Sequence, residues 1–207
     1  MQRIFHTPEG VRDIYSQGCS RKQKLQEKLH RVFHQYGFED IETPTFEYFE
    51  VFSKEVGTIP SRELYKFFDR EGNTLVLRPD FTPSVSRACA TYFNPEKEVV
   101  SLCYTGNTFI NNSSFRGRLK ETTQMGVERM GDDSPEADAE ILAMTVECLL
   151  ATGLTEFQVS VGQVDYYKAI FAQTGMSQEE EEELRELISQ KNYFGVEDLV
   201  RSQNIPE

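Results

Sequence analysis

Nothing in this 207-residue chain is apolar for long enough to span a bilayer, and its first residues, MQRIFHTPEG, hold no apolar block of the kind that directs secretion. The expectation is a soluble protein of the cytoplasm, with no membrane partner. Cysteine is scarce and unpaired in spacing: Cys19, Cys89, Cys103 and Cys148 are scattered. That pattern suits reduced thiols on buried helix and strand faces better than a disulfide or zinc framework. Positive charge is also short. The 22 basic against 34 acidic side chains leave a net charge of −12, which repels polyphosphate backbones and sets nucleic acid aside as a partner. No internal repeat or low-complexity linker divides the chain, and at 38% apolar content it can bury the core of one domain, or of one and a fragment.

What is there centres on Tyr104 to Gly131. Val99, Val100, Leu102 and Tyr104 make a β-rich apolar run; beyond a polar loop, Thr122, Gln124, Gly126 and Glu128 alternate with Thr123, Met125, Val127 and Arg129. Asn111, Asn112, Ser113, Ser114 and Gly117 between them favour turns, so two strands joined by a long loop are expected. The second strand puts Gln124, Gly126 and Glu128 on one face, and a gap at Gly126 between an amide and a carboxylate offers room for a polar ligand.

Around this hairpin the spacing predicts a helix from about Cys19 to Tyr36, stopped by Gly37, and a strand from Phe38 to Thr43 that Pro44 ends. His30 and His34 lie one turn apart on the helix. They lack the acidic partner of an HExxH pattern and Arg31 adjoins them, so they read as a solvated face, and no metal is expected. Phe46, Phe49 and Phe52 follow helical spacing, consistent with loop packing or a subunit contact. Leu64–Phe68 and Thr74–Leu77 flank a turn at Asp69–Asn73, which predicts a hairpin. Thr82 before Pro83 reads as the N-cap of a helix through Tyr92, which places Asp80 just ahead of the helix N-terminus. Helix-dipole complementarity is one reason for a carboxylate there. The other is function: Asp80 and Thr82 with Gln124 and Glu128 would form an acceptor-rich site for an ammonium group.

Ser134-Pro135 starts a further helix closed by Gly153; Phe157, Val159 and Val161 alternate as a strand; and helices follow at Asp165–Gln173, after the capping box of Ser177 and Glu180, and at Phe194–Asn204. The acid run Glu179 to Glu183 is most simply a solvated face near a helix start. An α+β fold results, divided at residues 1–162 and 163–207, with the tail a small helical appendage.

Several collinear stretches carry a resemblance: TPEGVRD, TPTFE, YKFFDREGNTLVLRP and QMGVE. Their order resembles the N-terminal part of a class II histidyl-tRNA synthetase-like core, an antiparallel sheet flanked by helices. The resemblance implies that TPTFE is the first class-defining motif, with Pro44 at a homodimer interface, and that the Tyr104–Gly131 hairpin is the second. Residues 163–207 would begin the family's helical insertion. It also implies that Asp80, Thr82, Gln124 and Glu128 bind the amino acid histidine.

The same comparison implies what is missing. Synthetases carry an arginine and then a glutamate in the second motif; this sequence has Ile110 and Asn112 there, and Thr122 where an aromatic ring stacks on adenine. Neither an alkyl nor an amide group replaces a guanidinium on an α-phosphate, so amino-acid activation is expected to fail and no cofactor is expected. TPTFEYFE, YKFFDREGNTLVLRPDFT and LCYTGNTF are most similar to the regulatory subunits of ATP phosphoribosyltransferase. That subfamily implies a non-catalytic chain, a homodimer within a hetero-octamer. It would work with a short-form catalytic subunit in the first step of histidine biosynthesis, with L-histidine as feedback effector. Arg116, Arg118 and Lys120 form a basic cluster able to meet phosphate or an acidic partner surface, or simply a solvated loop. Members of the family continue into a second half that completes the histidine pocket, so an incomplete pocket is expected within residues 1–207. A divergent histidyl-tRNA synthetase, which would need Arg116 or Arg118 to replace the lost arginine, and a stand-alone histidine-binding module are the alternatives.

Overall fold

The computed structural model describes residues 5–53, 59–112 and 117–202. The chain divides into two compact units, Met1–Phe157 and Gln158–Glu207.

In the first unit, helix α1 (Ser16–Gln35) starts a little earlier than its apolar spacing suggests and stops at Gly37, whose φ of +80° a side chain would resist. The chain then drops Phe38 into the core and pairs β1 (Glu39–Asp40) in parallel with β5 (Val100–Phe109); β6 (Glu121–Met130) runs antiparallel to β5, giving the order β1-β5-β6. The strand expected through Thr43 is therefore cut short. Ile41 N–H still donates to the Cys103 carbonyl at 2.9 Å, but the carbonyl of Thr43 turns to the guanidinium of Arg78 at 2.8 Å, so no ladder can continue there.

A second sheet has the order β2-β4-β3, from β2 (Phe46–Tyr48), β3 (Lys66–Phe68) and β4 (Thr74–Leu77). The expected helical series of Phe46, Phe49 and Phe52 is corrected here: Phe46 lies in a strand, and only α2 (Glu50–Ser53) is helical. Period two wins because Glu47 points inward, where Arg87 donates to its carboxylate at 2.6 and 3.0 Å, while Phe46 and Tyr48 point out. The β3–β4 hairpin forms as its turn signal predicts. Asp69 accepts from the backbone N–H and the side-chain amide of Asn73 at 2.7 and 2.8 Å, and Gly72 takes a φ of +87°.

The long β5–β6 hairpin has two differently covered faces. On one, Val100, Leu102 and Tyr104 pack with Phe81, Val85 and Cys89, the last two on α3 (Thr82–Tyr92). On the other, Cys103, Met125 and Val127 meet Val32 and Phe33 of α1 and Met144, Ile141 and Cys148 of α4 (Pro135–Thr152). Ser134 caps α4 as expected, accepting from Ala137 N–H at 3.2 Å, and Gly153 closes it with a φ of +97°.

The second unit holds α5 (Val164–Thr174), α6 (Gln178–Ser189) and α7 (Tyr193–Ser202). The reciprocal capping box of Ser177 and Glu180 is present, and the acidic run that follows is mostly exposed. The strand expected at Phe157, Val159 and Val161 does not form: among the described residues no strand lies alongside to pair its backbone, and alternation without a partner gives no ladder. Among the described residues no helix is long and apolar enough to cross a membrane.

Candidate functional site

The α3 face of β5–β6 is where the sequence places its acceptor-rich site. Thr82 is the first residue of α3 rather than its cap; Phe81 occupies the cap position with helical backbone, and among the described residues no side chain caps the helix. The Thr82 hydroxyl, inside the first turn rather than at the cap, donates to Glu128 Oε1 at 2.6 Å, a charge-assisted bond. Asp80 Oδ1 accepts from the Phe81 N–H at 2.7 Å, at the start of α3, and from Gln124 Nε2 at 2.9 Å. Asp80, Thr82, Gln124 and Glu128 are brought together as two hydrogen-bonded pairs. Among the described residues, Asp80 Oδ2 and Glu128 Oε2 accept no bond.

Tyr104 completes the cluster. Its hydroxyl donates to Glu128 Oε1 at 3.4 Å, and its ring stacks on Phe81 with centroids 4.4 Å apart and planes 8° from parallel. The guanidinium of Arg78 lies over the Phe81 ring, 4.0 Å from its centroid, and donates to the carbonyls of Asn107 (2.8 Å), Thr43 (2.8 Å) and Pro44 (3.3 Å). The gap expected at Gly126 is not open. Tyr104 is the residue opposite Gly126, and its ring fills that space; a Cβ on Gly126 would come within 2.6 Å of the ring's Cζ. Sequence reasoning missed Tyr104 and Arg78 as parts of the site. The signal was the Tyr104–Gly126 register, a large residue facing an absent one, which follows once the hairpin is paired.

Electrostatically the cluster carries more negative charge than its donors balance. Burial, and then the charge of Asp80, raise the carboxyl of Glu128 above its ordinary range, while the Thr82 and Tyr104 hydroxyls pull it back. Burial and the two carboxylates push the Tyr104 phenol well up as well. Such a site favours a compact cation with several N–H donors, an ammonium above all.

At the far end of the hairpin, Ile110 N–H donates to the Lys120 carbonyl at 2.9 Å and Asn112 Nδ2 to the Leu119 carbonyl at 3.3 Å, while Thr122 sits 3.0 Å from Thr108, hydroxyl to hydroxyl. Arg118 is exposed. The stem of Lys120 lies against Gly10, where its backbone N–H also donates to the Gly10 carbonyl at 2.7 Å. Arg116, Ser113 and Ser114 lie outside the described residues. Pro44 is exposed between β1 and β2. A cleft of about 530 Å³ lies along the hairpin, lined by Arg12, Asp13, Lys22, Glu121, Thr122 and Thr123 among others. His30 and His34, read as a plain helix face, both reach Asp40 of β1.

The family described as Histidyl-tRNA synthetase matches residues 10–207. The chain belongs to that family. Among curated relatives, the ATP phosphoribosyltransferase regulatory subunit of Acetivibrio thermocellus is 42% identical over 97% of this chain and 48% of its own length. That of Ruminiclostridium cellulolyticum is 40% identical over the same shares. A crystal structure of an ATP phosphoribosyltransferase regulatory subunit/histidyl-tRNA synthetase from Bacillus halodurans superposes with a TM-score of 0.84 at 32% identity, covering 98% of this chain and 52% of that one. The family's class II synthetase-like α+β fold is thus shared, and the chain spans about half the length of the relatives it matches.

Proposed function

We propose that this chain is part of a non-catalytic regulatory subunit of ATP phosphoribosyltransferase, acting in the cytoplasm with a short-form catalytic subunit in the first step of histidine biosynthesis. The observation that carries the reading is the identity of 40 to 42% with regulatory subunits over nearly the whole chain. Within it, Asp80, Thr82, Gln124 and Glu128 bind L-histidine: the unused oxygens Asp80 Oδ2 and Glu128 Oε2 take its ammonium group. For feedback, histidine must bind one state of the complex better than another, since equal affinity for both shifts nothing. Pro44 lies at the homodimer contact within a hetero-octamer, Arg118 and Lys120 meet phosphate or the partner surface, and residues 163–207 begin the helical insertion.

The absence of synthetase activity follows from Ile110, Asn112 and Thr122 at the ATP-site positions. In the hairpin the side chains of Asn112 and Thr122 make local hydrogen bonds, and none of the three residues supplies a cation or a ring face. The test is phosphoribosyl transfer by a short-form catalytic subunit with and without the protein that carries this sequence, and with and without histidine. Activation that histidine suppresses is the expected result. No activation, together with histidine-dependent ATP–pyrophosphate exchange, would instead make it a divergent synthetase. No activation and no exchange would leave a stand-alone binding module.

A further inference from the structure

The opposite face of the β5–β6 sheet carries a cluster that the histidine reading does not use. His30 and His34 stand one turn apart on α1, with ring centroids 4.2 Å from each other. Their Nε2 atoms lie 2.5 and 3.0 Å from the two carboxylate oxygens of Asp40 on β1. Cys103 of β5, fully buried beneath them, points its thiol at Asp40 Oδ1 across 3.4 Å. The four ligand atoms all fall within 4.8 Å of one another.

We propose that His30, His34, Asp40 and Cys103 form a zinc site that ties α1 to the β1–β5 strand pair. The donor set decides the ion. Two imidazole nitrogens, a carboxylate oxygen and a sulfur suit zinc, whereas calcium and magnesium demand oxygen shells. The arrangement is compact enough: zinc bonds of about 2.0 to 2.3 Å place the corners of a tetrahedron roughly 3.3 to 3.8 Å apart, so small side-chain rotations bring these atoms into place. Two histidines at a spacing of four on one helix supply one edge of the tetrahedron, and residues from two strands supply the other. Asp40 as carboxylate and Cys103 as thiolate, its proton released to solvent, balance the dication, so the filled site adds no net charge beside the core. Four protein ligands leave no open position, and the role is structural rather than catalytic. The site was hidden from the sequence because the acidic partner and the sulfur come from other elements than the helix.

The test uses the full-length protein carrying this sequence, stripped with chelator under reducing conditions and titrated with Zn²⁺ by calorimetry and with Co²⁺ by absorption. One ion per chain is expected, with a thiolate-to-cobalt charge-transfer band that disappears in Cys103→Ser and persists in Cys148→Ser. Because Cys103 is buried and its replacement could unsettle the fold, the paired change His30→Gln with His34→Gln, on an exposed helix face, is the second arm. Losing two of four ligands should weaken Zn²⁺ binding by more than about 100-fold, beyond what an outer-shell partner alone is worth. Failure of the stripped protein to bind, binding that the double variant leaves intact, or cobalt spectra without the thiolate band would each overturn the site and leave a hydrogen-bonded His–Asp clamp.

Discussion

The two faces of the β5–β6 hairpin are built from alternate residues of the same strands and have opposite characters. Met125, Val127 and Cys103 face α1 and α4 and meet apolar partners almost throughout. Gln124, Gly126 and Glu128 face α3, where a stack of Arg78, Phe81 and Tyr104 seats two carboxylates in half-buried positions. An apolar face gains stability from each contact it makes. The α3 face spends stability on desolvating charge, and what it gains is a site with unused acceptors. The difference teaches that one period-two pattern can build an apolar contact surface on one side and a polar cluster satisfied only in part on the other.

Arg78 should break that contrast most. Its side chain is buried and serves three backbone carbonyls while covering Phe81. Arg78→Met would keep the volume and strand those carbonyls, costing about 3 kcal/mol or more. Urea denaturation at unchanged m-value checks it, and a loss below about 1 kcal/mol would remove Arg78 as the organiser of this face.

Next in size is binding. If the proposed site holds histidine, Asp80→Ala should weaken the calorimetric affinity by about 1.5 to 3 kcal/mol through the loss of a charge-assisted contact. An exchange of similar volume on the other face, Met125→Leu, should leave it alone. Equal effects would mean the faces are not functionally separate.

Gly126→Ala comes third. The added methyl meets a Tyr104 ring that cannot swing away, since Phe81 is stacked on it, and an overpacking cost of about 1 to 3 kcal/mol is expected. Repeating the change in a Tyr104→Phe background tells whether the ring or only its hydroxyl resists. A full rescue there would assign the clash to the hydroxyl.

How much of this was legible follows from which signals are local. The β3–β4 turn, the Ser134 cap, the capping box at Ser177 and the stop at Gly37 rest on groups a few residues apart, and all are present. The alternation put Gln124, Gly126 and Glu128 on one face of a strand, where β6 has them. Side-chain partners supplied by elements distant along the chain were not legible. Phe46 looked helical until Glu47 found Arg87, Thr82 looked like a cap but lies inside the helix with its hydroxyl on Glu128, and the alternating residues at Phe157 found no neighbouring strand among the described residues. Gly126 showed that a side chain was missing but not that Tyr104 would use the space. The histidines on α1 lacked an acid only along the chain; Asp40 supplied it through the fold.

The smallest expected effect has the opposite sign. The Glu128 carboxyl is raised above its unfolded value, first by burial and then by the Asp80 charge. Its folded state therefore holds a proton more tightly than its unfolded state, and the stability linked to this group is greatest below the unfolded value of 4.5 and is lost as pH rises through the folded value. In its ionised form the carboxylate therefore costs the fold stability that its neutral form does not. Glu128→Gln keeps the shape and an acceptor for Thr82 and Tyr104 while removing the charge, so the variant should melt slightly higher than the parent at pH 7. The gap should close as pH falls toward 4.5, where the parent becomes neutral too. The same variant should bind histidine less well, because the amide oxygen offers an ammonium group no charge. A variant that is less stable at pH 7, or a gap that widens on acidification, would show that the Thr82 and Tyr104 hydrogen bonds outweigh desolvation and that this face is not strained by its function.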